Sequence, residues 1–183
     1  MEAFLTSFAV PRRALILCLA VSAALIAGAH AFERIGGMAP CLLCLDQREA
    51  HWTALGVGAV LFALAQAGAA RVVAAGLGAL TLVYLFSAGL AAFHAGVEWG
   101  FWPGPDGCAA PTPADMTSLG TDDILGSLDR PGPEGPACSE AAWRMLGISM
   151  AGYNAVISLG LAVACGLACA VFARAMDRSV VHA

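Results

Sequence analysis

Pro40-Cys41-Leu42-Leu43-Cys44-Leu45-Asp46-Gln47-Arg48 holds a Cys-x-x-Cys pair, followed by an amide and a permanent cation. It stands immediately after one long hydrophobic stretch and immediately before another, which places a dithiol at the rim of a bilayer. A dithiol there can exchange electrons both with water-soluble proteins and with a lipid-soluble carrier. Bracing is a poorer use of the pair: so short a ring gains little chain entropy from being closed, and Cys-x-x-Cys motifs serve exchange.

The sequence surrounding the motif settles the class. Apolar residues make up 60% of the 183 positions, charged residues 12%, and mean hydropathy is +0.78. Such a composition excludes a solvated globule and marks an integral membrane protein. Segments 14–32, 50–67, 72–93 and 146–172 are each long enough to cross about 30 Å of hydrocarbon, and none contains Asp, Glu, Lys or Arg. The expected fold is an all-α, four-transmembrane-helix bundle forming one domain over 1–183. Arg12, Arg13 and Ala29-His30-Ala31 imitate a cleavable signal, but the apolar run exceeds the usual 7–15 residues or so, which favours a retained helix.

Orientation follows from arginine, because the chain has no lysine. With both termini cytoplasmic, that side holds Arg12, Arg13, Arg71, Arg174 and Arg178 against Glu2 and Asp177, and the other eleven acids fall in the outer loops. The positive-inside bias puts loops 33–49 and 94–145 outside, on the disulfide-permissive side of a bacterial-type inner membrane. Four cysteines lie there: Cys41, Cys44, Cys108 and Cys138. The turn near Gly68 and Arg71 is short, so the second and third helices are antiparallel neighbours. Loop 94–145 is acidic and rich in Pro and Gly, and its segment from Met116 to Leu128 suggests a weak amphipathic helix lying on the bilayer.

Within the motif, a helix beginning near Cys44 places Arg48 at i+4 on the same face. The helix dipole and that cation make Cys44 the expected low-pKa thiolate, while Pro40 ends the preceding helix and exposes Cys41. Cys18, Cys165 and Cys169 lie within apolar spans and read as small hydrophobes. Gly152, Gly160, Ala164 and Ala168 read as helix-packing positions. A metal site needs more soft ligands than His51, the one local candidate beside the pair, so none is expected.

The string from Pro40 to Arg48 resembles the P-C-x-L-C-x-x-Q-R signature of the disulfide bond formation protein B (DsbB) family of inner-membrane oxidants. Four apolar spans, a second cysteine pair in the long outer loop, His94 at the end of the third span, and Trp143, Gly147, Ser149 and Asn154 entering the fourth are similar to that family too. The resemblance implies a quinone-dependent protein-disulfide oxidoreductase that recharges a periplasmic DsbA-like, thioredoxin-fold oxidase. It implies that ubiquinone or menaquinone oxidises Cys41 and Cys44, with Cys44 at the quinone ring and Arg48 on a quinone oxygen. Cys108 resembles the sulfur attacked by the partner, and Cys138 its mate, which exchanges with Cys41. Because such partners are themselves strong oxidants, at about −120 mV, a non-thiol electron acceptor is needed.

Gln47 is expected to orient Arg48 or the quinone. His94 is either a donor to a quinone oxygen or an interfacial anchor. His51 either faces the same site or makes a helix-helix hydrogen bond; His30 and His182 have no constellation around them. The competing reading is a four-helix scaffold or metal-handling protein whose outer cysteines only brace loops or bind ions, which leaves Arg48 without a task. The vitamin K epoxide reductase type places its loop cysteines before its Cys-x-x-Cys, the reverse of the order here.

Overall fold

The structure, a computed structural model, describes residues 9–105, 108 and 137–181. Four helices dominate it: α1 (Ala9–Arg34), α2 (Leu42–Gln66), α3 (Ala70–Glu98) and α4 (Met150–Val181). Each packs on its neighbour in chain order, and α4 returns to α1, which closes a four-helix bundle. The Met116 to Leu128 segment and most of the second outer loop lie outside the described residues.

Each helix runs beyond its apolar segment at one end or both, and the reasons are local. Pro11 sits in the first turn of α1, where its missing N–H leaves no hydrogen bond unmade. That helix ends at Arg34 and not at Pro40, because Gly37 adopts a left-handed φ of +66°. At Gly36 a Cβ would lie 2.6 Å from the Phe32 carbonyl oxygen. Cys41, extended at φ −81° and ψ 171°, is the N-cap of α2, so the expected first outer loop 33–49 shrinks to residues 35–41. Between α2 and α3 the chain reverses at Gly68, φ +77°, as the short turn requires.

The last helix begins at Met150, four residues after the expected start, for a definite reason. Leu146 and Gly147 have φ of 51° and 81°, the pattern of a two-residue hairpin turn. They join β1 (Arg144–Met145) to β2 (Ile148–Ser149), paired antiparallel. The all-α expectation is therefore amended by one very short hairpin.

Among the described residues three helices are long and apolar enough to cross a membrane: Val10–Arg34, Ala70–Glu98 and Met150–Arg178. The fourth, α2, has 25 residues but carries Asp46, Arg48, Glu49 and His51 in its first half, which lowers its apolar character. Inside the bundle Leu15, Cys18, Leu61, Leu77, Leu80, Tyr84, Leu161, Cys165 and Phe172 form one core. The outward faces are equally apolar: Leu82, Phe86, Val156 and Leu167 are all more than 60% exposed. Helices that are hydrophobic all round suit a lipid surround. Small residues let helices approach, but not everywhere the sequence suggested. A Cβ on Gly76 would reach within 2.1 Å of Leu61, whereas one on Gly160 would meet nothing within 4 Å.

Candidate active site

Placing Cys41 at the N-cap of α2 puts Cys44 in the helix's first turn, with the two sulfurs 3.0 Å apart as free thiols. Across from them, one turn before the end of α3, stands His94, whose Nε2 is 3.6 Å from Cys41 Sγ. Cys108 and Cys138 form a disulfide, held also by the Cys138 N–H donating to the Cys108 carbonyl at 2.9 Å. These sulfurs are not remote: Cys41, Cys108 and Cys138 share one buried cluster with Leu43 and Val97, and Cys44 packs against it. A dithiol and a disulfide thus lie side by side.

Gln47 does not orient Arg48. Its Nε2 donates to the Leu43 carbonyl at 3.1 Å and to His94 Nδ1 at 2.8 Å, and its Oε1 accepts from Asn154 Nδ2 at 2.7 Å. A backbone carbonyl only accepts, so Leu43 fixes which end of the amide is nitrogen. His94 Nδ1 must then be the acceptor, and the ring proton of the neutral imidazole is on Nε2, facing the sulfurs.

Beyond Asn154 the network continues. Asn154 Oδ1 accepts from His51 Nε2 at 2.9 Å and from Ser158 Oγ at 3.1 Å, while His51 Nδ1 meets Ser22 Oγ at 3.2 Å. Of the two readings open for His51, the hydrogen bond between helices is the one present, although His51 also lines the site's cavity.

That cavity, about 320 Å³, is walled by α1 and α4 residues including Leu25, Ile26, Phe32 and Ile157. Cys41, Cys44, Arg48, His94 and Glu98 are among its polar lining residues. Arg48 reaches it while engaged elsewhere: Nη1 pairs with Glu33 Oε2 at 2.5 Å and Nη2 donates to the Ala29 carbonyl at 3.4 Å. His30 is not isolated either, its Nδ1 lying 3.6 Å from the same Glu33 oxygen.

A family model for Disulfide bond formation protein DsbB matches residues 11–168. The chain belongs to the DsbB family. No curated protein or solved structure gives a significant match. Family membership and the apolar helices make this a multi-pass membrane protein of disulfide bond formation.

In this DsbB-family chain the sulfur that holds the charge differs from the expected one. Cys41 has its thiol pulled down to about 4, first by the hydrogen bond shared with Cys44 and then by His94, against the opposing effect of burial. Arg48 was expected to favour Cys44, but its guanidinium is spent on Glu33, whereas the imidazole faces Cys41. The charge therefore settles on Cys41.

His94 also corrects the expectation that His51 is the one imidazole near the pair. Cys41, Cys44 and His94 bring donor atoms of a kind that bind soft metals within 4.8 Å of one another. With its proton on Nε2, however, the imidazole offers no lone pair toward the sulfurs.

Sequence reasoning missed Glu33, Glu98 and Ser22 altogether. Glu98 follows His94 by four residues, a same-face spacing that was available as a signal; Glu33 and Ser22 had none. Deeper in the bundle, Cys18 and Cys165 meet across α1 and α4 with sulfurs 2.9 Å apart, and Cys169 instead donates to the Ala74 carbonyl.

A low Cys41 pKa has a direct consequence in the reduced protein. Alkylation of Cys41 should rise between about pH 3 and 5 and then level off, where an ordinary thiol keeps accelerating toward about pH 8.5. Cys44→Ala removes the largest stabilising contact and should move the profile upward by more than His94→Ala does. Peptide-resolved mass spectrometry checks both; an ordinary thiol profile in the wild-type chain would contradict the assignment.

Proposed function

We propose that this protein is a quinone-dependent thiol oxidase that reoxidises a soluble DsbA-like dithiol protein on the periplasmic side of the bacterial inner membrane. The observation that carries the reading is the adjacency of the two cysteine pairs, one a disulfide and one a dithiol, with the dithiol lining a largely apolar cavity. Thiol-disulfide exchange needs sulfurs in reach of each other, and the loop pair is packed against Cys41. Supporting the topology, α2 has a span's length despite its charged first half, and the arginine distribution favours both termini inside with both loops outside.

A quinone supplies an acceptor for two electrons and two protons. The cavity fits it: the volume lies within the range of small-molecule sites, and apolar walls surround a few polar groups that include Arg48 and His94. Arg48 and His94 would hold a ring oxygen, with Gln47 acting through His94. Apolar α1 and α4 side chains would take the rest of the molecule and exclude water.

Electrons run from the partner to Cys108 and Cys138, from there to Cys41 and Cys44, and finally to the membrane carrier. In exchange, a partner thiolate attacks Cys108 of the loop disulfide and releases Cys138; once quinone has oxidised the Cys-x-x-Cys pair, the Cys138 sulfur attacks Cys41 of the Cys41–Cys44 disulfide and releases Cys44 as a thiolate. The arrangement described here, loop pair oxidised and Cys-x-x-Cys reduced, corresponds to the moment after the loop pair has been recharged. His94 donates its Nε2 proton toward the Cys41 thiolate and steadies it.

The deciding experiment adds reduced partner to the protein in detergent, with and without a quinone, and counts thiols consumed. Thiol loss that needs no quinone would sink the reading. Cys108→Ala or Cys138→Ala should abolish partner oxidation yet leave Cys41 and Cys44 reoxidisable by quinone. If the outer cysteines only brace loops, all cysteine variants lose stability and none changes electron flow.

Arg48→Lys keeps the charge but not the planar fork, and should raise the quinone concentration needed by about tenfold, with exchange between the pairs little affected. Unchanged quinone kinetics in Arg48→Lys and Arg48→Ala would remove Arg48 from the site.

A further inference from the structure

Arg48 follows Cys44 by four residues on α2. Helical side chains lean toward the N-terminus of their own helix, so the sulfur one turn back lies in the natural range of the guanidinium. Both residues line the same cavity, and among the described residues around it Arg48 is the one fixed cation. A cation beside a thiol favours its thiolate. Local geometry on α2 alone would therefore make Cys44 the reactive sulfur.

The bundle holds that cation on another helix. Arg48 Nη1 pairs with Glu33 Oε2, and Nη2 donates to the Ala29 carbonyl at 3.4 Å, both at the end of α1. The two contacts differ in kind. The first is a charge-assisted bond to a carboxylate, whereas the second is a long bond to a neutral acceptor and the weaker of the two. His30, one turn before Glu33, lies 3.6 Å from the same carboxylate oxygen. The other ionisable groups facing the sulfurs are His94 and Glu98 on α3 and Glu140 ahead of β1. Neither acid favours a thiolate, and His94 directs Nε2 to Cys41 at 3.6 Å.

We propose that Glu33 is a positioning residue that selects between the two sulfurs: by tethering Arg48 to α1 it withholds the cation from Cys44 and leaves Cys41, beside His94, as the nucleophile of the reduced pair. Glu33 acts through Arg48. It transfers no proton and no electron; its effect is the place at which a positive charge is held. Without the carboxylate, the guanidinium keeps only the neutral Ala29 acceptor, and a thiolate at Cys44 is the stronger competitor for its donors. The charge then moves from the sulfur that faces α3 to the one that faces Arg48.

The test uses the full-length, reduced protein in detergent at about pH 6, where an ordinary thiol is barely ionised. A limiting amount of N-ethylmaleimide labels one sulfur per molecule, and tandem mass spectrometry assigns the label to Cys41 or Cys44. Glu33→Gln keeps the side-chain shape and loses the charge, and it should raise the ratio of Cys44 to Cys41 labelling about tenfold over wild type at unchanged helix content. In an Arg48→Ala background the same substitution should leave the ratio where Arg48→Ala alone sets it, because the tethered group is gone. An unchanged or lowered ratio in Glu33→Gln would overturn the proposal. So would an equal rise in the Arg48→Ala background, since the carboxylate would then act on the sulfurs directly or through packing. Neither quinone nor partner is present, so the outcome is independent of the proposed electron path.

Discussion

A carboxamide buried away from water must find protein partners for both its hydrogens and its oxygen, and Gln47 finds them on three elements of the bundle. Its nitrogen is committed to the Leu43 carbonyl and His94, its oxygen to Asn154. Since the carbonyl cannot donate, the orientation is not negotiable, and it propagates. Asn154 must present its oxygen to His51 and Ser158; Ser158 reaches Ser87 on α3 at 3.1 Å, and His51 reaches Ser22 on α1. All four helices are tied by one polar seam in an otherwise apolar core. Each such bond is worth about 0.6 kcal/mol in a membrane setting, so their larger effect is to specify one arrangement of the helices.

The catalytic consequence lies at the upper end of the seam. A thiolate beneath the surface of a bilayer needs compensation for lost water, and no lysine exists in this chain to provide it. The bundle uses a neutral donor and a second thiol instead: His94 Nε2–H and Cys44 both face Cys41. Keeping Arg48 on Glu33, at the edge of the cavity, leaves the fixed cation free of the sulfurs. The same end of the molecule gathers the loop disulfide, so Cys41 belongs both to the cluster that holds Cys108 and Cys138 and to the lining of the cavity.

Much of this was legible in the sequence because it rests on composition and spacing. Long apolar runs marked the helices, Gly68 marked the tight turn, and Pro40 through Arg48 marked the sulfurs. The start of α4 was not legible, because the left-handed Leu146 and Gly147 broke a run that looked continuous, whereas the start of α2 expected near Cys44 falls within its first turn. The assignment of the thiolate went to the wrong sulfur for a related reason. Helical spacing correctly put Arg48 one turn from Cys44 but carried no information about Glu33, which lies on another helix. Contacts among His94, Gln47 and Asn154 join three helices, and no periodicity within one segment reports them. Glu98 was legible only as a residue four positions after His94 on the same face; that it lines the cavity beside the sulfurs was not.

Gln47 holds His94 as a neutral imidazole with its proton on Nε2. Nitrogen NMR of the reduced, quinone-free protein labelled with ¹⁵N-histidine measures it directly, with His94→Asn used to assign the signals. The account predicts for His94 a protonated Nε2 and an unprotonated, hydrogen-bond-accepting Nδ1 near neutral pH, a pattern lost in Gln47→Leu. A His94 protonated on Nδ1, or on both nitrogens, would contradict it.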